Sequence, residues 1–226
     1  MLSGLRWLAL EVKSLDRARE FYAEALDMTV EREGEREVEL RAGDSTLILR
    51  RPREIPRGGL HTHYAFAIPA DEYQYWWDRL SREFDLQERQ FGSGKSLYLY
   101  DPDGNCVELA QRPVDGDGIC GIFEVVLEVA DLDRAEEFYT SLGFETVDRG
   151  KDRRRVRLGG PVDLELWEPQ LGIADGRGGV HVDLGFDTDD SPGVAVDAVL
   201  NRASKVTMIG ENVRITDPDN HHLQFC

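Results

Sequence analysis

Five histidines, at positions 61, 63, 181, 221 and 222, and three cysteines, at 106, 120 and 226, are the residues whose types could bind a metal or attack a substrate. His61 and His63 are two residues apart, so on a strand both face the same side. His222 shares a face with Gln224 in the same way, while His221 points to the other and is expected in solvent. Imidazoles and carboxylates at alternate positions of facing strands can converge on a metal and still leave coordination positions open. The competing chemistries lack their motifs. An odd cysteine count without C-x-x-C spacing argues against both a disulfide scaffold and a zinc–thiolate site. There is no G-x-S-x-G elbow and no glycine-rich phosphate loop.

The elements that must position these residues are legible because the chain repeats itself. Leu10-Glu-Val-Lys-Ser-Leu-Asp-Arg-Ala-Arg-Glu-Phe-Tyr22 returns as Leu127-Glu-Val-Ala-Asp-Leu-Asp-Arg-Ala-Glu-Glu-Phe-Tyr139. Asp101-Pro-Asp-Gly-Asn105 returns as Asp217-Pro-Asp-Asn-His221, and His63-Tyr-Ala-Phe66 as His181-Val-Asp-Leu184. Two homologous halves follow, 1–112 and 119–226, joined by the acidic, breaker-rich linker 113–118. Within the first half, residues 5–12 alternate as a strand, 16–26 carry apolar residues at helical spacing, and strands are expected at 28–32, 36–42 and 45–50. The order restarts with a strand at 62–68, a helix through 73–84, and strands near 86–91, 96–100 and 106–111. The fold class is therefore α+β, four βαβββ units. The strands are too short and amphipathic for a doubly wound parallel sheet.

A strand ending L-x-V-x-D-L, a helix opening D-R-A and reaching F-Y, and a late D-P-D-G-N-x-x-E-L turn and strand resemble the vicinal oxygen chelate superfamily. That superfamily contains glyoxalase I, extradiol ring-cleaving dioxygenases and the fosfomycin and bleomycin resistance proteins. The resemblance spans all four units and implies two half-barrel domains around a metal or ligand cleft. It implies ligands on the first and last strands of units. In the first half these positions hold His63 and Glu108, with Trp7 where a ligand would otherwise stand and Leu47 and Leu49 where glyoxalases have Glu. In the second half they hold Glu124, Glu165, His181 and Gln224, with His222 beside the last. Residues 97–108 are similar to the extradiol signature, which makes Tyr98 a substrate-binding catalytic residue; His61 is a candidate third ligand or acid–base group.

Three functions are open at this stage. One is an Fe(II) dioxygenase cleaving a catechol-like ring through His63, Glu108 and Tyr98. Another is a glyoxalase-like lyase or isomerase using Mn, Zn or Ni in the second half. The third is a metal-free protein that sequesters a small aromatic molecule, a reading Trp7 favours.

Composition bounds the partners. Of 226 residues, 44 are Asp or Glu and 27 Lys or Arg, giving a formal charge of −17 and a pI near 4.7. Such a field repels nucleic acid and anionic membrane, so a small-molecule substrate is expected, with the chain a monomer or homodimer. Only four of the basic residues are lysine, and an acidic, lysine-poor surface is what a salt-loaded cytosol tolerates. A halophilic, haloarchaeal origin and a cytoplasmic location are expected, since no export signal or apolar span is seen. The Arg153-Arg154-Arg155 run reads as a solvated hairpin edge that could also attract an anionic substrate.

Overall fold

The computed structural model describes residues 1–52, 60–151, 154–168 and 182–226. Each of the four units runs strand, helix, three strands. Unit 1 comprises β1 (Leu2–Glu11), α1 (Leu15–Glu20), β2 (Val30–Glu33), β3 (Glu37–Ala42) and β4 (Ser45–Arg50). Unit 2 comprises β5 (Leu60–Pro69), α2 (Tyr73–Leu80), β6 (Gln87–Phe91), β7 (Gly94–Tyr100) and β8 (Cys106–Arg112). Unit 3 comprises β9 (Gly121–Glu128), α3 (Leu132–Ser141), β10 (Glu145–Arg149), β11 (Arg155–Gly159) and β12 (Asp163–Trp167). Unit 4 comprises β13 (Val182–Thr188), α4 (Pro192–Val196), β14 (Lys205–Ile209), β15 (Asn212–Thr216) and β16 (His222–Phe225). Among the described residues no helix is long and apolar enough to cross a membrane.

The strands form two eight-stranded sheets, and each sheet draws on both halves of the sequence. Units 2 and 3 make one, in the order β10-β11-β12-β9-β5-β8-β7-β6; units 1 and 4 make the other, β14-β15-β16-β13-β1-β4-β3-β2. Within a unit the first strand lies parallel to the last, which leaves its other edge open. That edge pairs antiparallel with the first strand of the partner unit, β5 with β9 and β1 with β13. The short connection from β8 to β9 brings units 2 and 3 together, and β1 is left to pair with β13. This corrects the expectation that residues of one half share a cleft.

The repeated motifs tie the units of a half together. Ser14 and Asp131 cap α1 and α3, each side-chain oxygen accepting from the backbone N–H of the Arg three residues on. The helices bury Leu15, Ala18, Phe21 and Tyr22 in one case and Leu132, Ala135, Phe138 and Tyr139 in the other. In α1 the last of these are carried by a wider π-helical turn, Phe21–Ala25. The Tyr22 hydroxyl donates to Asp101 Oδ2 at 2.8 Å, and the Tyr139 hydroxyl donates to Asp217 Oδ2 at 2.8 Å. Each aspartate's other oxygen accepts two backbone N–H groups of its own turn. The next acid, Asp103 or Asp219, accepts the N–H of Lys13 or Ala130 at 2.9 Å, just ahead of the helix cap. The D-P-D turn is therefore a clasp between units. Of the aromatic run in α2, Trp76 is buried as a packing residue and Tyr75 is exposed.

Candidate metal centre

The sheet of units 2 and 3 presents one row of side chains into a cleft of about 500 Å³. Ala65 on β5 is the pivot of that row, with Glu108 of β8 opposite it on one side and Glu124 of β9 on the other. Two residues earlier on β5, and hence on the same face, stands His63. A methyl group at Ala65 leaves the space over the row open, and the three larger side chains lean into it. His63 Nε2 lies 3.6 Å from Glu108 Oε2 and 3.5 Å from Glu124 Oε1. One ligand atom from each of His63, Glu108 and Glu124 falls within 4.8 Å of the others, and all three residues are buried.

The surroundings hold each member in place. The His63 ring meets Tyr98 and Trp167 edge-on at centroid distances of 5.9 and 5.5 Å, and its Nδ1 is buried without a hydrogen-bond partner. Glu108 accepts hydrogen bonds from Ser96 and Tyr98. Glu124 receives Arg157 Nη2 at 2.6 Å. Glu165, on β12 beside this row, accepts from Trp167 Nε1 at 2.9 Å and from Arg155 Nη1 at 3.2 Å. Burial opposes charge on His63, but the hydrogen bond to Glu124 and the fields of Glu108, Glu124 and Glu165 outweigh it and raise its pKa. Burial, helped by Glu124, pushes the carboxyls of Glu108 and Glu165 up. Glu124 goes the other way: burial is outweighed by His63 and Arg157, and its pKa falls. Burial and Glu108 raise the Tyr98 phenol, which stays a neutral donor.

The donor set fits a divalent ion. Two carboxylates and one imidazole are hard and borderline ligands, their atoms converge, and they open on a cleft rather than closing on themselves. A third carboxylate, Glu165, stands alongside. The four residues come from strands that are first or last in their units, two from each half of the chain.

The other sheet repeats the register with different residues. Gly185 takes the place of Ala65, flanked by Trp7 and Gln224 where Ala65 is flanked by Glu124 and Glu108. Two residues earlier stands Asp183, so the counterpart of His63 is Asp183 and not His181. Ile48, paired with Ala9 as Glu165 is with Val126, replaces the third carboxylate; Leu47 and Leu49 face the core. The indole of Trp7 covers Gly185 so closely that a Cβ there would lie 2.3 Å from its ring atoms. Asp183 is ion-paired with Arg50 at 3.0 Å, both nearly inaccessible, and Arg214 donates to Gln224 at 2.8 Å. Trp7 and an internal ion pair thus stand where the other sheet has its donor set.

Sequence reasoning paired the ligand positions by half. The structure brings His63, Glu108, Glu124 and Glu165 into one cleft and sets Gln224 on the other sheet. The side chain of His61, and His181 and Arg153 altogether, lie outside the described residues. His221, expected in solvent, is buried, with its Nε2 2.9 Å from the Glu128 carbonyl oxygen, because the D-P-D turn folds it inward. His222 is half-buried opposite Asp183, and burial lowers its pKa. Arg154 and Arg155 are ion-paired with Glu168, and with Asp148 and Glu165, rather than simply solvated. Arg50, Arg157 and Asp183 escaped notice because no spacing places an arginine beside an acid more than 30 residues away.

Comparison with known proteins agrees with this architecture. Residues 4–109 match the sequence model of the Glyoxalase/Bleomycin resistance protein/Dioxygenase superfamily. The chain is 26% identical over 116 residues to the metallothiol transferase FosB of Staphylococcus saprophyticus, covering 48% of this chain and 77% of that protein. It is 29% identical over 114 residues to the glutathione transferase FosA of Serratia marcescens, covering 48% of this chain and 81% of that protein. The crystal structure of glyoxalase I from Zea mays superposes with a TM-score of 0.71 at 22% identity, over 98% of this chain and 91% of that one, a likeness of fold. The first half of this chain thus matches the Glyoxalase/Bleomycin resistance protein/Dioxygenase superfamily model, and the whole chain shares the fold of glyoxalase I.

Proposed function

We propose that the protein is a metal-dependent enzyme of the lyase or isomerase kind, acting on a small molecule that presents two neighbouring oxygen atoms to a divalent ion held by His63, Glu108 and Glu124. The observation that carries this is the convergence of those three ligand atoms, buried, at the floor of the cleft. Two imidazoles with one carboxylate are the set used by Fe(II) oxygenases; one imidazole with two carboxylates, and Glu165 near, is harder and suits Mn(II), Zn(II) or Ni(II). Bound there, the ion supplies Lewis-acid polarisation of the substrate oxygens.

The chain's own residues do the rest. Tyr98, a phenol that keeps its proton, donates to Glu108 and fixes the carboxylate's orientation. Arg157 does the same for Glu124. Glu165, its carboxyl raised by burial and by Glu124, is the group placed to take and return a proton, steadied by Trp167 and Arg155. Tyr98, Phe123 and Trp167 give the cleft aromatic walls suited to a flat or partly apolar substrate.

Metal analysis tests this. The protein, stripped with a chelator in high salt and reloaded anaerobically, is expected to hold one Mn, Zn or Ni per chain. His63→Ala, Glu108→Gln and Glu124→Gln should each abolish the uptake, and His181→Ala should not. Exclusive uptake of Fe(II) would replace this reading with the ring-cleaving dioxygenase. Failure to hold any of the four ions would leave a metal-free binding protein.

A further inference from the structure

The charge balance of the cleft is opposite to that of the chain as a whole. In a chain of net charge −17, its described lining carries six cations, Arg89, Lys95, Arg112, Lys151, Arg155 and Arg157, against the three carboxylates Glu108, Glu124 and Glu165. Two of the four lysines in the sequence are among them. Arg155 and Arg157 are engaged by acidic side chains at the cleft floor and Lys95 by Glu88 at 3.1 Å. Arg89, Arg112 and Lys151 form no ion pair within 4 Å among the described residues. These three are exposed, on the β6, β8 and β10 sides of the opening.

Arg112 has a built support. Its guanidinium carbon sits 4.4 Å from the centroid of the Phe123 ring. Phe123 reaches that position through a β-bulge: Ala65 and Phe66 are opposite Glu124 and Ile122, so Phe123 is the extra residue. The bulge lets consecutive residues, Phe123 and Glu124, both line the cleft, which a regular strand forbids. Arg112 also lies four residues beyond Glu108 on the same strand, about 13 Å along it by strand rise, and faces the same side. A planar guanidinium stacked on an aromatic ring keeps its N–H edge free for a bidentate oxyanion.

We infer that the substrate carries an anionic oxygen group, a carboxylate or a phosphate or phosphonate, at the end remote from His63, and that Arg112 on Phe123 receives it, with Lys151 and Arg89 adding attraction. This deepens the metal-enzyme reading, which supplies the other end of the same ligand. The net charge of the chain is negative, so a cationic cleft also focuses such an anion.

Isothermal titration of the full chain, metal-stripped and metal-loaded, with phenylphosphonate, benzoate and neutral benzamide tests the inference. At least one of the two anions should bind ten-fold or more tightly than benzamide, and added salt should weaken the anion alone. The tighter of the two identifies phosphonate-type or carboxylate chemistry. Arg112→Gln should weaken anion binding at least ten-fold, Lys151→Gln several-fold, and Lys205→Gln, on the other sheet, not at all. Lys151→Gln, an exposed change, carries the test if Arg112→Gln does not fold by circular dichroism. Equal binding of benzamide and both anions, or unchanged anion affinity in Arg112→Gln and Lys151→Gln, overturns it. Metal content measured on the same samples separates the two ideas. Metal uptake without anion binding defeats only this inference, and anion binding without metal uptake defeats only the metal reading.

Discussion

His63 and Asp183 occupy the same register position in the two sheets, yet His63 faces two carboxylates at 3.5 and 3.6 Å while Asp183 faces Arg50 at 3.0 Å. One position has become the centre of a donor set and its duplicate the centre of an internal ion pair. The pair of sheets therefore offers one open candidate metal centre and one counterpart closed by its own side chains.

The stoichiometry of metal uptake should follow. We expect one divalent ion per chain by plasma emission spectroscopy, unchanged in Asp183→Asn. Two ions per chain, with one lost in Asp183→Asn, would show that the second cleft also binds.

Arg50 and Asp183 should matter to stability instead. Arg50→Met leaves a buried aspartate without its main partner and is expected to cost about 3–5 kcal/mol in urea denaturation. The double variant Arg50→Met/Asp183→Leu should recover most of that loss. A cost below about 1 kcal/mol for Arg50→Met would mean the pair is already well hydrated.

Tyr98 hydrogen-bonds Glu108 and should act on the proposed metal centre through it. Removing its hydroxyl in Tyr98→Phe frees the carboxylate to rotate, and metal affinity should fall about 10–100-fold, as for other residues that orient ligands. Competition with a fluorescent chelator measures this. An unchanged affinity with impaired turnover would return Tyr98 to direct substrate contact.

His63 gives the metal-free protein a pH signature. Burial works against its charge, but its carboxylate neighbours outweigh burial, so its folded pKa stands above the ordinary value of about 6.5. The stabilisation is fully present below that ordinary value and is lost as pH rises through the raised one. Chelator-treated wild type should exceed His63→Gln in stability at pH 6, and the difference should shrink by pH 9. Metal affinity should run the other way, because ligation needs the neutral ring. A stability difference that grows with pH would contradict the assignment.

The D-P-D clasp should be structural and nothing more. Tyr139→Phe deprives buried Asp217 of a hydrogen bond and is expected to cost about 1–3 kcal/mol, with Tyr22→Phe similar. Metal content should be untouched in both. Loss of metal from either folded variant would tie the clasp to the site.

Much of this protein is decided by local sequence. The order of βαβββ units follows from alternation, helical spacing and Gly or Pro breaks, all read over a dozen residues. Ser14 and Asp131 cap helices because their own backbones are near, and the repeated F-Y and D-P-D motifs mark where the units interlock. His63, Glu108, Glu124 and Glu165 stand out through the family resemblance, and two-residue periodicity points each toward one face of its strand. What tertiary structure alone decided is which of these meet. The pairing of β5 with β9 puts Glu124 opposite Ala65 and joins both halves in one centre, and no spacing records a contact between strands of different units. Register also moved the counterpart of His63 from His181 to Asp183, since a slip of two keeps the facing of every side chain and leaves the hydrophobic pattern unchanged. The arginines on Glu124 and Asp183, the indole over Gly185 and the bulge at Phe123 follow from that pairing.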